Sequence, residues 1–179
     1  RTRTDQENFG LSGQVSHSGS FDGRRNLFIA GAAYDHSNLN FQQSGQYGYL
    51  NPDRSVTPVD AWADGSQNAG AGETALDSRV NLNGRTRTWS LFATDTLSIT
   101  ERWHATLSGR YNRTQVKNRD LLNPGGGADS LDGNHSFSRF NPAAGSTYTL
   151  SKAWSAYAGY SEGSRTPTAI ELGCANPDN

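Results

Sequence analysis

Methionine is absent from the 179 residues, cysteine occurs once and proline only 6 times. A lone cysteine excludes any disulfide within the chain. No apolar run reaches the length of about 18 residues that a membrane-spanning helix needs. Charge in excess is also missing. Lys and Arg number 16 against 17 Asp and Glu, for a net charge of −1, which makes no electrostatic case for nucleic acid or an anionic membrane surface. Hydrophobic residues reach only 33%, and mean hydropathy is well below zero, a composition usually met in soluble or partly disordered chains.

What is present argues against disorder. Aromatics make up 10%, and Gly, Ser, Thr and Asn are abundant, which suits strands and turns. A transmembrane β-barrel escapes the hydropathy test, because its strands need an apolar residue only at every second position and its loops are polar. The chain opens on Arg1, shows no leader and ends in the polar run Cys174–Asn179, so the sequence reads as an internal piece of a longer chain.

Period-two alternation bounded by turn residues marks about six segments. The first, Asn8–His17, places Phe9, Leu11 and Val15 on one face. The second, Asn26–His36, groups Phe28, Ala30, Ala32 and Tyr34, but Leu27 and Ile29 lie opposite and leave its register ambiguous. The third, Thr86–Ile99, sets Trp89, Leu91, Ala93 and Leu97 against Thr88, Ser90, Thr94 and Thr96, with Asp95 and Phe92 each on the wrong face. The fourth, Trp103–Tyr111, is the cleanest. Trp103, Ala105, Leu107, Gly109 and Tyr111 alternate with His104, Thr106, Ser108 and Arg110. The fifth, Phe140–Leu150, contains Pro142, which predicts a bulge because proline cannot donate to a ladder. The sixth is Trp154–Glu162.

Connections alternate strictly. Short turns fall at Ser18–Arg25, Thr100–Arg102 and Ser151–Ala153, and long links at Tyr47–Asn83 and Asn118–His135. Bacterial outer-membrane barrels have short periplasmic turns and long outer loops. The fold class read here is all-β, an antiparallel transmembrane barrel fragment forming an open curved sheet with long extracellular loops. Trp103 and Trp154 follow short turns, and Tyr111 and Tyr160 come eight and six residues later. That order matches aromatic girdles at two membrane interfaces.

Ser90–Trp103 resembles the strand–turn–strand of TonB-dependent receptors, and Gly109–Asn112 continues it. Phe137–Gly145 is similar to the family's next upward segment. Ala156-Tyr-Ala-Gly-Tyr-Ser-Glu-Gly-Ser-Arg-Thr-Pro-Thr168 looks like its characteristic strand end. The resemblance implies a barrel of about 22 strands with a plugged lumen. It also implies a preceding plug domain that contacts TonB, no cofactor, and an outer-membrane location. All of residues 1–179 would belong to the barrel. The implied cargo is a scarce nutrient, by default an iron–siderophore complex, with cobalamin, haem or an oligosaccharide open. A passive porin, a lipid-modifying barrel and a soluble carbohydrate-binding β-sandwich are the competing readings. The resemblance and an oxidising export route together imply that Cys174 pairs with a second cysteine beyond Asn179, in an extracellular loop.

No enzyme signature is present. His17, His36, His104 and His135 lack metal-ligand spacing. Gly125–Asn134 is similar to a single calcium-binding nonapeptide turn, but that motif works in stacked arrays, so an outer loop is the simpler reading. In the long link, Tyr47, Tyr49, Trp62 and Arg79 are candidates to grip a polar ligand, with Asp53, Arg54, Asp60 and Asp64 beside them. Packing among loops is the alternative for all of them. Arg110 faces the lumen, towards the plug or a neighbouring strand. Glu162 and Arg165, at the emergence of the sixth strand, read as structural.

Overall fold

The computed structural model of the chain describes residues 1–45, 48–58, 77–127 and 130–174. Six long strands form one sheet: β1 (Thr2–Phe21), β2 (Arg24–Gly45), β5 (Asp77–Ser98), β6 (Trp103–Asp120), β7 (Gly133–Thr149) and β8 (Ser155–Ser161). Each pairs antiparallel with its neighbour in the order β1-β2-β5-β6-β7-β8, so the sheet is a meander with two free edges. A small hairpin, β3 (Gly48–Leu50) with β4 (Val56–Pro58), lies in the link between β2 and β5. A short helix, α1 (Ala169–Cys174), follows β8.

The turns explain the register. Phe21 pairs with Arg24 across Asp22-Gly23, whose φ values of 50° and 72° are those of a two-residue turn that matches strand twist. The expected turn at Ser18–Arg25 is thus shorter than the composition implied, because Ser18, Gly19 and Ser20 are strand residues. At the β5–β6 turn, Thr100 Oγ1 accepts from the Arg102 and Trp103 N–H groups at 3.3 and 3.1 Å. At β7–β8, Ser151 Oγ accepts from Ala153 N–H at 3.2 Å.

The strands run well past the segments seen in the sequence. β6 continues nine residues beyond Tyr111 to Asp120, and β5 begins at Asp77 rather than near Thr86. The long links shrink accordingly. The reason is that pairing continues after the apolar alternation ends. Arg113, Gln115, Lys117 and Arg119 occupy the face that carries Leu107 and Tyr111 lower down.

Pro142 makes no bulge, and the register passes through its pair with Gly109 unbroken. Its carbonyl accepts from Glu162 N–H at 3.0 Å just past the end of β8, so the donor that proline lacks would serve the same terminal pair, and its absence costs one bond at the strand end without shifting the register. The one register shift in the sheet lies between Gln43 and Ser44.

The two faces differ in chemistry. One presents Phe9, Leu11, Val15, Phe28, Trp89, Leu91, Leu107, Tyr111 and Phe140, all exposed. β2 puts Phe28, Ala30, Ala32 and Tyr34 on this face, which resolves its register. The other face is a ladder of hydroxyl pairs: Thr94 with Ser108 at 2.8 Å, Thr96 with Thr106 at 3.0 Å, and Thr88 with Thr114 at 2.9 Å. Among the described residues the only buried hydrophobic side chains are Leu82, Val116 and Ala169. A soluble sandwich would bury its apolar face. This sheet exposes it, on a scale that calls for a non-aqueous solvent.

Trp103, with Nε1 donating to Ser146 Oγ at 2.8 Å, stands at the turn end of the apolar face, near Tyr148 and Trp154. Tyr111 pairs across from Phe140, and Tyr34 packs on Trp89 with centroids 4.4 Å apart, towards the other end. Eight residues at about 3.4 Å each, tilted about 40°, separate these rings by about 20 Å along the membrane normal, close to the apolar band of about 25 Å. Asp95, the exception on this face, lies opposite Leu107, midway between the Trp103 and Tyr111 rings, and accepts from Asn26 Nδ2 at 2.6 Å. In the complete barrel, Leu107→Arg is expected to lower unfolding free energy by about 2–4 kcal/mol, and Ser108→Ala by about 1 kcal/mol. Reversible unfolding in lipid vesicles measures both, and the reverse order of cost would invert the facing.

Candidate functional site

Among the described residues, the polar face is covered only at its far end from the turns, by the chain that follows β8. That chain, expected to open an outer loop, folds back onto the sheet instead. Its entry is fixed by Glu162, which accepts from Tyr160 Oη at 2.7 Å and from Arg139 at 3.4 Å. Arg165 then grips Glu171 through two parallel bonds of 2.9 and 2.8 Å. Thr168 and Glu171 cap α1 reciprocally: Thr168 N–H donates to the Glu171 carboxylate at 2.7 Å, and Glu171 N–H to Thr168 Oγ1 at 3.2 Å. The Arg165 guanidinium, aided by those capping bonds, pulls the Glu171 carboxyl down to about 2. Both Glu162 and Arg165 therefore make the structural pairings anticipated for them.

Seating of α1 depends on the wall. Ala169 is buried, and its carbonyl accepts from Asn118 Nδ2 at 2.6 Å. A Cβ on Gly84 would stand 2.5 Å from the Ala169 methyl, so glycine is what lets the helix approach β5. Leu82 and Val116 are buried on the same side.

Between this returning segment and the sheet lies a cleft of about 510 Å³, lined by Asp35, Arg110, Asn112, Arg139, Thr166 and Pro167 among others. Arg110 sits 5.7 Å over the Phe92 ring and donates from Nε to Asn112 Oδ1 at 2.9 Å. Phe92, the apolar residue on the polar face, is thus a platform for a cation. Gly31 makes room for it, since a Cβ there would meet the ring at 2.5 Å. No carboxylate lies within ion-pair distance of Arg110 among the described residues. Opposite it on β7, Asn141 Oδ1 is buried without a partner. A second cleft, of about 430 Å³, is lined by Phe41, Arg79, Leu82, Leu122 and Ile170 among others.

The candidates read from the sequence are dispersed. Tyr49 is an exposed residue of β3, and Arg79 is in the second cleft. Tyr47, Trp62, Asp60 and Asp64 lie outside the described residues, as does the Cys174 side chain, whose backbone ends α1. Asp53 is used within its own hairpin, accepting from Ser55 N–H and Oγ at 3.0 and 2.6 Å, which lowers its pKa. The β6–β7 loop is held by carboxylates. Asp120 accepts from the N–H groups of Leu122, Asn123 and Leu131, and Asp132 from those of Gly125 and Asp120. These bonds depress the Asp132 carboxyl. The nonapeptide-like stretch is therefore a backbone-anchored loop over its described part. Sequence reasoning missed α1 and its seat, although the spacing of Thr168 and Glu171 is a legible capping signal.

Residues 1–178 match the family model described as "TonB dependent receptor-like, beta-barrel". The chain belongs to this family. Among solved structures, the ferric-catecholate import receptor Fiu of E. coli K12 matches in its open form with TM-score 0.58 at 19% identity, and in its closed form with 0.59 at 18%. Each match covers 88% of this chain, and 26% and 24% of the respective Fiu chains, so the chain spans about a quarter of their length. No curated protein matches the chain in sequence. At these identities the likeness shows the fold: a TonB-dependent receptor barrel, seen as an open arc.

In such a barrel the polar face is the lumen wall, and the returning segment hangs into the lumen. Its lock is acid-resistant. Because the Glu171 carboxyl is held at about 2, against an ordinary 4.5, the lock is complete above pH 4.5 and weakens only as pH falls towards 2. Hydrogen exchange over residues 163–174, corrected for intrinsic rates, is expected to stay constant from pH 7 to 5. Glu171→Gln is expected to accelerate it at pH 7. Loss of protection in the native protein by pH 5 would show that another group holds the segment.

Proposed function

We propose that the protein acts in TonB-dependent uptake of an iron–siderophore complex across the bacterial outer membrane, with a plug domain supplying the contact to TonB. The observation that carries this reading is the family match over residues 1–178, joined to a cleft at the loop end of the lumen wall. Supporting the cargo class is Arg110. A guanidinium on an aromatic platform, with no carboxylate partner among the described residues, suits an anionic chelate such as a catecholate. The family resemblance to a ferric-catecholate receptor agrees with that chemistry.

The test is uptake by the complete receptor of labelled ferric catecholates, under iron limitation, in cells with and without TonB. Uptake is expected to require TonB. Arg110→Ala is expected to weaken binding about 10- to 100-fold, the loss of charge-assisted hydrogen bonds worth about 1.5–3 kcal/mol. Uptake indifferent to TonB would favour the porin.

Topology follows from loop length. The glycines 125–127 of the β6–β7 loop have φ of 104°, 78° and 116°, with open space around each. An epitope inserted at Gly126 is expected to label intact cells, and labelling only after permeabilisation would invert the barrel. We further propose, on the same family grounds, that Cys174 is disulfide-bonded outside the cell. Thiol labelling of the complete receptor should then require reductant, and equal labelling without it would exclude the bond.

A further inference from the structure

The cleft beneath the returning segment is lined by four charged side chains, Asp35, Arg110, Arg139 and Arg165. Two are already neutralised. Arg139 is paired with Glu162 at 3.4 Å and Arg165 with Glu171 at 2.8 Å. Arg110 is the cation without an ion pair, and Asp35 is its counterpart among the anions. The Asp35 carboxylate has neither an ion pair nor a hydrogen bond among the described residues.

Uncharged residues surround Asp35 on the lumen face. It stands between Gly10 on β1 and Thr88 on β5, with Asn8, Ser12, Thr86 and Ser90 diagonal to it. A Cβ on Gly10 would stand 2.8 Å from Asp35 Oδ1, so glycine opens the place that the carboxylate occupies. Asp35 is also exposed, and so open to a ligand. Asp120, higher on the same face, is by contrast committed to the N–H groups of the β6–β7 loop.

The wall between Asp35 and Arg110 turns its polar groups on one another. Thr88 bonds Thr114 at 2.9 Å, and Asn112 Oδ1 accepts from Ser90 Oγ at 2.8 Å and from Arg110 Nε at 2.9 Å. Two opposite charges are left at the two ends. Arg110 is opposite Phe92, Phe92 is opposite Gly31, and Gly31 is four residues from Asp35 on β2. Four residues at about 3.4 Å and two strand spacings of about 4.8 Å set the two backbones about 17 Å apart. A small chelate with a side arm spans that separation inside a cleft of about 510 Å³.

We propose that Asp35 is a specificity-determining residue that binds a protonated amine or guanidinium on the cargo. The cleft then takes a chelate with its anionic centre on Arg110 and a cationic arm on Asp35. The inference rests on the uptake reading above and adds a second charge to the cargo. A wholly anionic chelate would meet a like charge at Asp35 with nothing on the wall to offset it. A cationic arm removes that repulsion and gains charge-assisted hydrogen bonds. Chelates that share one iron centre are thereby told apart by their arms.

The complete receptor, purified in detergent, is titrated with two ferric catecholates that differ only in the arm. One arm ends in a primary amine and the other in its N-acetyl derivative. The amine-bearing chelate is expected to bind at least tenfold tighter at neutral pH. Asp35→Asn is expected to weaken that chelate at least tenfold and to leave the acetylated one unweakened. Asp5→Asn, on β1 and paired with Arg3 at 2.9 Å, is expected to change neither affinity. Heat-modifiable migration establishes that the Asp35→Asn barrel is intact. Equal binding of both chelates by the parent, each still dependent on Arg110, overturns the proposal and leaves the uptake reading standing. A folded Asp35→Asn receptor that keeps the preference, or that weakens both chelates equally, also overturns it. Failure of the parent to bind either chelate overturns both the proposal and the cargo reading beneath it.

Discussion

Hydrocarbon offers backbone N–H and C=O groups no partner, so each must be paired between strands. That one constraint orders the rest of the molecule. It makes the six strands a continuous antiparallel ladder with tight turns at one end. It frees the side chains to follow solvent alone, apolar outside and hydroxyl-bearing inside. It also leaves the edges of β1 and β8 unsatisfied until further strands close the wall, in keeping with a chain that spans about a quarter of the matched Fiu chains.

The same constraint decided what was legible in the sequence. Within the bilayer, alternation is enforced, so Trp103–Tyr111 could be read with both faces assigned, and Phe28, Ala30, Ala32 and Tyr34 could at least be grouped. Above it, pairing persists while alternation is no longer enforced. Glu7 to Thr2, Ser37 to Gly45 and Asn112 to Asp120 are strand without that alternation, and the sequence marks no strand in them. Pro142 misled for a different reason. Its effect depends on which neighbour the missing donor faces, and that is a property of topology rather than of the residue. The site was the least legible part. Arg110 was assigned to the lumen, but its Phe92 platform, the Gly31 that admits the ring and the Asn141 opposite lie on three other strands, and only the register assembles them.

Rigidity at the lumen wall comes from short polar pairs rather than from a core. Thr88, Thr94 and Thr96 on β5 each meet the hydroxyl opposite on β6 at hydrogen-bond distance, and such pairs need no apolar burial to fix a side chain. A wall built this way can present a cleft without collapsing into it. The small apolar cluster of Leu82, Val116 and Ala169 appears only where α1 excludes water from the same face.

Net charge conceals how the charges are used. A balance of −1 reads as neutrality, yet the sheet sorts its ions by height and by face. On the outward face the membrane band between Trp103 and Tyr111 carries one acidic residue, Asp95, opposite Leu107 and held by Asn26. Above the rings, cations gather on β5 and β6, while the acidic Asp5 and Glu7 stand on the outward face of β1, beyond β2. The carboxylates of Glu162, just past the end of β8, and Glu171 are spent on holding the returning segment, which leaves Arg110 in the cleft with no ion pair among the described residues. Composition averages over these compartments. Since a barrel wall has different solvents on its two faces and along its height, the informative quantity is the charge at each register position.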